Sequence, residues 1–279
     1  MLSYQHSYHA GNFADVHKHL TLSLLLESLN KKPKPWSYFE THAGTALYDL
    51  SAENATKTGE FKQGVSLLQG KKLPSLFDSY LQVVKQLNTA IDPCVKYPGS
   101  PWFASQAARD GDKISLMELH PGEHQQLKAL FRRNSAVAVH HRDGYEGVLS
   151  LLPPKPNRGL VLIDPSYEVK SEYLQVAKFI EKAYQRWSNG CFAIWYPLLK
   201  AGNHHEMLRK IKHSGIRKVL QAEFFVKSAT DERMYGSGML LINPPWHLEQ
   251  QLQQLSESLY QHLAETSAAP PQIQWLVAE

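Results

Sequence analysis

The sequence predicts an α/β fold built on a doubly wound, mostly parallel sheet, and three observations carry that prediction. Seven short apolar runs occur from residue 36 onward: WSYFE (36–40), KISLMEL (113–119), AVAVHH (136–141), GLVLID (159–164), CFAIWY (191–196), VLQAEFFV (219–226) and GMLLIN (238–243). Each has the length and side-chain character of a buried strand. Segments of helical period lie between several of them, and strands that alternate with helices pair in parallel because the crossover returns the chain to the same edge. Ligands of such sheets sit beyond the carboxyl ends of the strands, where strand order reverses.

The first forty residues stand outside this alternation. They open on MLSYQHSYHAGNFADVHKHL, and the spacing predicts a helix over 16–29 capped by Asp15. After the first run, residues 49–98 break the rhythm. No strand is expected there, but Leu73, Leu76, Phe77, Tyr80, Leu81, Val84 and Leu87 fall at helical spacing, which predicts a small helical insertion closed by the turn YPGSP. Ser100 before Pro101 has the form of a helix N-cap. In SEYLQVAKFIEKAYQRW, Tyr173, Leu174, Ala177, Ile180, Tyr184 and Trp187 share one helical face. A helix over LEQQLQQLSESLYQHL follows the last run, and TSAAPPQ reads as a short linker. The whole of 1–279 is expected to form a single domain, with an N-terminal segment of 1–30 and an insertion of 49–98.

Composition narrows the function classes. A chain of 279 residues, 43% hydrophobic and 20% charged, can bury one large core and is neither disordered nor fibrous in type. Cys94 and Cys191 are too few for a disulfide framework or a thiolate metal site, which points to a reducing, cytoplasmic setting. The N-terminus lacks a signal-peptide core and no apolar stretch approaches about 18 residues, so a soluble, unexported protein is expected. A net charge of +4 with 14 histidines permits a nucleic-acid partner without requiring one.

Four strand ends carry residues suited to a ligand. After the first run, ETHAGTALY puts His42 before Gly44 in a turn that lacks a second glycine, because Ala46 stands there. The second run delivers Glu118, where a nucleotide site places an acid for ribose hydroxyls. The third ends in HHRDGYEG, whose Asp143 and Gly144 could present a carboxylate and an amide to an adenine ring. The fourth ends in Asp164-Pro165-Ser166-Tyr167. Each alone is also an ordinary turn or solvated strand end, but all four fall on one edge of one sheet.

These features resemble those of class I S-adenosylmethionine-dependent methyltransferases that act on an exocyclic amine, whose fourth strand is followed by [D/N/S]-P-P-[Y/F/W]. Over the whole chain, MLSYQHSYHAGNFADVHKHL, THAG, YPGSP, ELHP, RDG, LIDPSYE, WYP, GIRK and NPPW together resemble the RlmJ family. The resemblance implies a Rossmann-like sheet with an antiparallel last strand and methylation of N6 of an adenine in large-subunit (23S) ribosomal RNA. It implies S-adenosylmethionine as cofactor, and a mobile N-terminal flap with Tyr4 and His6 facing the RNA. Lys18, His19, His42, Gly44, Ser100, Glu118, Asp143, Gly144 and Asp164 would line the cofactor pocket. Ser166, in place of the second proline, and Tyr167 would meet the substrate.

The chemistry of Asp164-Pro-Ser-Tyr follows from the amine itself. An aniline-like nitrogen is a poor nucleophile because its lone pair is delocalised. Acceptors at the Asp164 carboxylate and the Pro165 carbonyl would bind both amine hydrogens and aim the lone pair. Tyr167 would stack on the base, which must be unpaired or flipped to reach the pocket. No metal is required. His6, His9, His17 and His19 lack the cysteine or acid support of a zinc site. The second copy of the pattern, Asn243-Pro-Pro-Trp246, follows the antiparallel strand and is expected at the opposite edge as a structural turn. A DNA adenine or a protein glutamine offers the same planar amine, and an RNA-binding protein without catalysis could share the fold. The short basic content, with no appended RNA-binding module, favours protein-free or early precursor RNA as the partner and indicates no obligate protein partner or membrane.

Overall fold

The computed structural model describes residues 5–88, 95–229 and 233–279. In chain order its elements are α1 (Phe13–Asn30), β1 (Ser37–Glu40), β2 (Leu47–Asp49), α2 (Glu53–Thr58), α3 (Asp78–Gln86), β3 (Lys96–Pro98), α4 (Ser100–Ala107), β4 (Lys113–Met117), α5 (Pro121–Phe131) and β5 (Val137–His140). The chain continues through α6 (Gly144–Leu151), β6 (Gly159–Ile163), α7 (Glu172–Arg186), β7 (Cys191–Leu198), α8 (His204–His213), β8 (Val219–Phe225), β9 (Gly236–Ile242), α9 (Leu248–Leu263) and β10 (Gln272–Val277).

All seven runs read as strands are strands, in one eight-stranded sheet of order β10-β8-β9-β7-β6-β1-β4-β5. The five from β5 to β7 pair in parallel, and β9 is antiparallel to both β7 and β8. The order reverses between β1 and its neighbours β4 and β6, so the carboxyl ends of these strands form the crevice the sequence predicts. Side chains of the strands alternate between two apolar layers. Tyr38, Leu116, Leu160 and Leu162 pack with α1, α3, α4, α5 and α9, whereas Phe39, Met117, Val161 and Ile163 pack with α6, α7 and α8.

Several expectations are corrected. The first helix begins at Phe13 and its cap is Asn12, whose carboxamide oxygen accepts the Ala14 and Asp15 amides at 2.9 Å each. Asp15 is therefore free to act elsewhere. Every residue from Ala14 to Leu26 is buried, because α1 lies between the sheet and the helices α3, α4 and α9, with no solvent face to give it a period. The insertion is bracketed by strands that the sequence did not announce: β2 and β3 pair antiparallel, three residues each. Gly99, not Ser100, caps α4, and Ser100 is its first residue. The buried face of α7 is Tyr173, Val176, Ala177, Phe179, Ile180 and Ala183, so Leu174 and Tyr184 lie off it. Beyond the expected linker, β10 adds an antiparallel edge strand against β8.

The insertion also explains the displaced helix. In a doubly wound sheet the glycine turn after the first strand leads into a helix. Here β2, α2, α3 and β3 intervene, and the helix resumes as α4 once the Gly99 amide has bonded the Ala46 carbonyl at 2.8 Å. The detour grips the N-terminal arm: Val65 N donates to Gly11 O at 2.9 Å, Asn12 Nδ2 donates to Glu60 at 2.9 Å, and His9 pairs with Glu60 at 3.0 Å.

Candidate active site

Asp164 leaves β6 at the middle of the carboxyl edge and meets a cluster carried by the first turns of α1. Lys18 Nζ lies 2.5 Å from Asp164 Oδ2 and 2.9 Å from Asp15 Oδ1, and its side chain is 5% exposed. Asp15 Oδ2 also accepts the Gly11 amide at 2.9 Å and faces His6 Nε2 at 2.8 Å. Burial alone would pull the Lys18 ammonium down, but Asp15 and Asp164 overcome it and hold its pKa above the ordinary range. Burial would raise Asp15, yet His6 and Lys18 keep it well below the usual carboxylate range. The ammonium also sits 5.7 Å from the centre of the Trp195 ring.

The loop after Asp164 leaves two acceptors without a described donor. Lys18 takes Oδ2, no hydrogen bond from the described residues reaches Oδ1, and no described amide donates to the Pro165 carbonyl. Tyr167 holds φ at +54°, a conformation costly for a bulky residue and a mark of functional loops. Its ring turns into the apolar layer against Tyr173, with centroids 4.4 Å apart, and its hydroxyl donates to the Trp195 carbonyl at 2.8 Å. Ser166 is half-buried beside it.

On the other side of Asp164 the strand ends of β1, β4 and β5 converge. Gly44 adopts φ +60°, and its amide donates to Glu118 Oε2 at 2.8 Å while Glu118 Oε1 accepts the His120 amide at 2.7 Å. Glu118 thus ties two loops of the crevice together. Ala46, where a second glycine was absent, takes φ +66°. Asp143 caps α6 by accepting the Glu146 amide at 2.9 Å, and Gly144 starts that helix in contact with the Thr41 carbonyl, which a Cβ would meet at 1.9 Å. His42 packs on Tyr145 and bonds Thr41 Oγ1 at 2.8 Å; burial lowers its pKa to about 4, so it is neutral at physiological pH. The Tyr145 hydroxyl is buried with no partner among the described residues.

His19 bonds the Tyr97 hydroxyl at 2.9 Å and leaves Nε2 buried without a partner among the described residues, while His17 bonds Ser237 and His9 bonds Glu60. The four early histidines therefore serve four separate partners. Tyr4 lies outside the described residues. Sequence reasoning missed Asp15, Glu40 and Trp195. Glu40 ends β1 fully buried, accepting hydrogen bonds from Ser100 Oγ and, at 2.8 Å, from Tyr38; burial pushes its pKa up to about 8. An acid closing an apolar run just before His-Ala-Gly was the available signal for Glu40, and the Asp-x-x-Lys spacing in an apolar helix was that for Asp15. The rival motif is elsewhere: Asn243 donates to the carbonyls of Ser188 and Gly190 at 2.8 Å each, at the amino end of β7, and Trp246 is 83% exposed.

Among the described residues no helix is long and apolar enough to cross a membrane. A family model described as Ribosomal RNA large subunit methyltransferase D, RlmJ, matches residues 33–277. The chain is 41% identical to Ribosomal RNA large subunit methyltransferase J of Escherichia coli (strain K12) and 40% identical to the protein of that name in Haemophilus influenzae (strain ATCC 51907 / DSM 11121 / KW20 / Rd), with all of each chain covered. A crystal structure from Legionella pneumophila str. Philadelphia 1 superimposes with a TM-score of 0.89 at 39% identity, covering 96% of this chain and 98% of the other.

Proposed function

The chain belongs to the RlmJ family of ribosomal RNA large subunit methyltransferases, and from that premise we propose that it methylates N6 of an adenine in large-subunit ribosomal RNA with S-adenosylmethionine as donor. The observation that carries the reading is a pair of acceptors, Asp164 Oδ1 and the Pro165 carbonyl at the end of β6, that no donor among the described residues engages. Two hydrogens of a planar amine match two fixed acceptors, and binding both leaves the nitrogen lone pair directed out of the ring plane. Lys18 acts by fixing Oδ2, so that the carboxylate presents one defined oxygen to the amine. As the nitrogen gains its methyl group it sheds a proton, and Asp164 is the carboxylate in position to accept it.

The residues of the β1, β4 and β5 ends fit the donor. A glycine turn braced by Glu118 and the acid at Asp143 offer polar partners in one crevice. S-adenosylmethionine supplies a methyl group on a cationic sulfur, which leaves without metal assistance. Glu118, Asp143 and Gly144 would hold its nucleoside part, and the backbone about Gly44 its amino-acid part. Tyr167 lies with its ring in the apolar layer rather than facing the base, so it supports the base-binding side from behind; its strained backbone and its contact with Tyr173 hold the loop that carries Asp164 and Pro165. The N-terminal arm brings His6 to Asp15 above this site, and Tyr4 precedes it in sequence.

The substrate form follows from what grips it. With a net charge of +4 and no long basic run, recognition depends on an accessible base more than on an extended footprint. Tritiated-methyl incorporation into naked large-subunit RNA, a target hairpin and intact subunits at equal concentration tests this. Naked RNA and hairpin should be labelled faster; a preference for intact subunits would contradict it.

A further inference from the structure

Beside the Asp164 loop, on the side away from the glycine turn, the chain forms an open hollow of about 390 Å³. Its walls come from two loops of the same sheet edge. Lys170 and Tyr173 follow the Asp164 loop into α7, and Asn203, His205, Glu206 and Arg209 come from the turn after β7 and the first turns of α8. Tyr173 is the shared wall, because its ring lies against that of Tyr167. Lys170 and Arg209 are exposed, and neither forms an ion pair among the described residues. His205 is exposed, with its ring 4.0 Å from that of His204, and the Asn203 side chain makes no cap to α8.

We propose that this hollow binds a nucleotide flanking the target adenine, with Lys170 and Arg209 on its phosphodiester and the exposed His205 ring against its base, above a floor formed by the buried Tyr173. The proposal rests on the reading of the protein as an RNA methyltransferase. Two cations and the Glu206 carboxylate leave one net positive charge, which matches a singly charged phosphodiester and disfavours a terminal phosphate dianion. The volume accommodates one nucleotide, and the exposed His205 ring can accept any base by its π-face. Position adds to this. The donor crevice occupies the β1, β4 and β5 side of Asp164, so a strand that delivers its base to Asp164 continues over β6 and β7, where the hollow lies.

The test uses the full-length protein, S-adenosylmethionine and a target hairpin. Lys170→Ala/Arg209→Ala should raise the KM for the hairpin about five- to tenfold with little change in kcat, and lower the salt slope of binding by about 0.7, the value for one phosphate on a single strand. Lys212→Ala, on the same helix outside the hollow, should leave KM within twofold. Glu206→Gln should lower KM, and calorimetric binding of S-adenosylmethionine should stay unchanged in every variant, which reports folding. Hairpins with single neutral methylphosphonates flanking the adenine localise the contact: one position should weaken binding to the wild type and leave the double variant unaffected. An unchanged KM in the double variant, or equal methylphosphonate effects in both proteins, overturns the proposal. If the wild type binds S-adenosylmethionine but labels no RNA, the function reading itself falls and takes this site with it.

Discussion

Replacing Lys18 with methionine would leave two carboxylates, Asp15 and Asp164, buried against each other without their shared ammonium. Removing one partner of a buried ion pair costs about 3–5 kcal/mol, so Lys18→Met should lower Tm markedly. Lys18→Met/Asp15→Asn should recover part of that loss, because it removes one of the stranded charges, and thermal unfolding of the two variants measures the coupling. Glu40 makes a different prediction. Its carboxyl is pushed from 4.5 to about 8 by burial, so the folded state binds a proton that the unfolded chain releases above 4.5. Its contribution is whole below pH 4.5 and lost as pH rises through about 8. The Tm difference between Glu40→Gln and wild type should therefore grow from pH 5 to pH 8 and level off beyond; a difference that does not change with pH would show that Glu40 is already ionised in the fold.

The arm ahead of α1 is held by the insertion. Gly64 packs so closely that a Cβ would meet Gly11 O at 2.1 Å. Gly64→Ala should push the insertion off the arm, speed proteolysis between residues 5 and 12, and lower turnover more than it lowers Tm. Equal proteolysis rates for variant and wild type would show that the arm is held by α1 alone. The strands were legible because each run is short and rich in apolar residues, including β5, which is only partly buried, and α9 because its apolar residues recur along one face. The first helix was legible only in part: buried on all sides, it has no polar stripe to mark its ends, and Asn12 outcompetes Asp15 as cap because Asp15 is drawn to Lys18, His6 and Gly11. β2, β3 and β10 are short or edge strands whose pairing depends on distant partners rather than on local pattern. The ion pair at the site joins residues 146 positions apart, and no spacing in the sequence shows it.

At the scale of the whole molecule, histidines set the acid limit. Burial lowers the pKa of His17 to about 3 and those of His42 and His204 to about 4, and it depresses His19 well below 6.5. These groups stay neutral in the fold and take up protons on unfolding, so their contribution is whole above pH 6.5 and lost as pH falls towards 4. Glu40 runs the opposite way between 4.5 and 8, so near pH 5.5 proton uptake by these four histidines on unfolding exceeds the release from Glu40. The slope of Tm against pH, with the calorimetric enthalpy, measures that uptake; a value near zero would show that the histidines protonate in place. Among the described residues, Asp164, Glu118 and Asp143 fall at one sheet edge, while Asn243 lies at the opposite edge, donating to the carbonyls of Ser188 and Gly190. The direct measurement is nucleoside mass analysis of protein-free large-subunit RNA after reaction with S-adenosylmethionine and wild type, Asp164→Ala or Asn243→Ala. N6-methyladenosine should form with wild type and Asn243→Ala and fall at least about a hundredfold with Asp164→Ala. A methyl group on any other nucleoside, or equal product from folded Asp164→Ala, would contradict the assignment of Asp164 to the amine of an adenine.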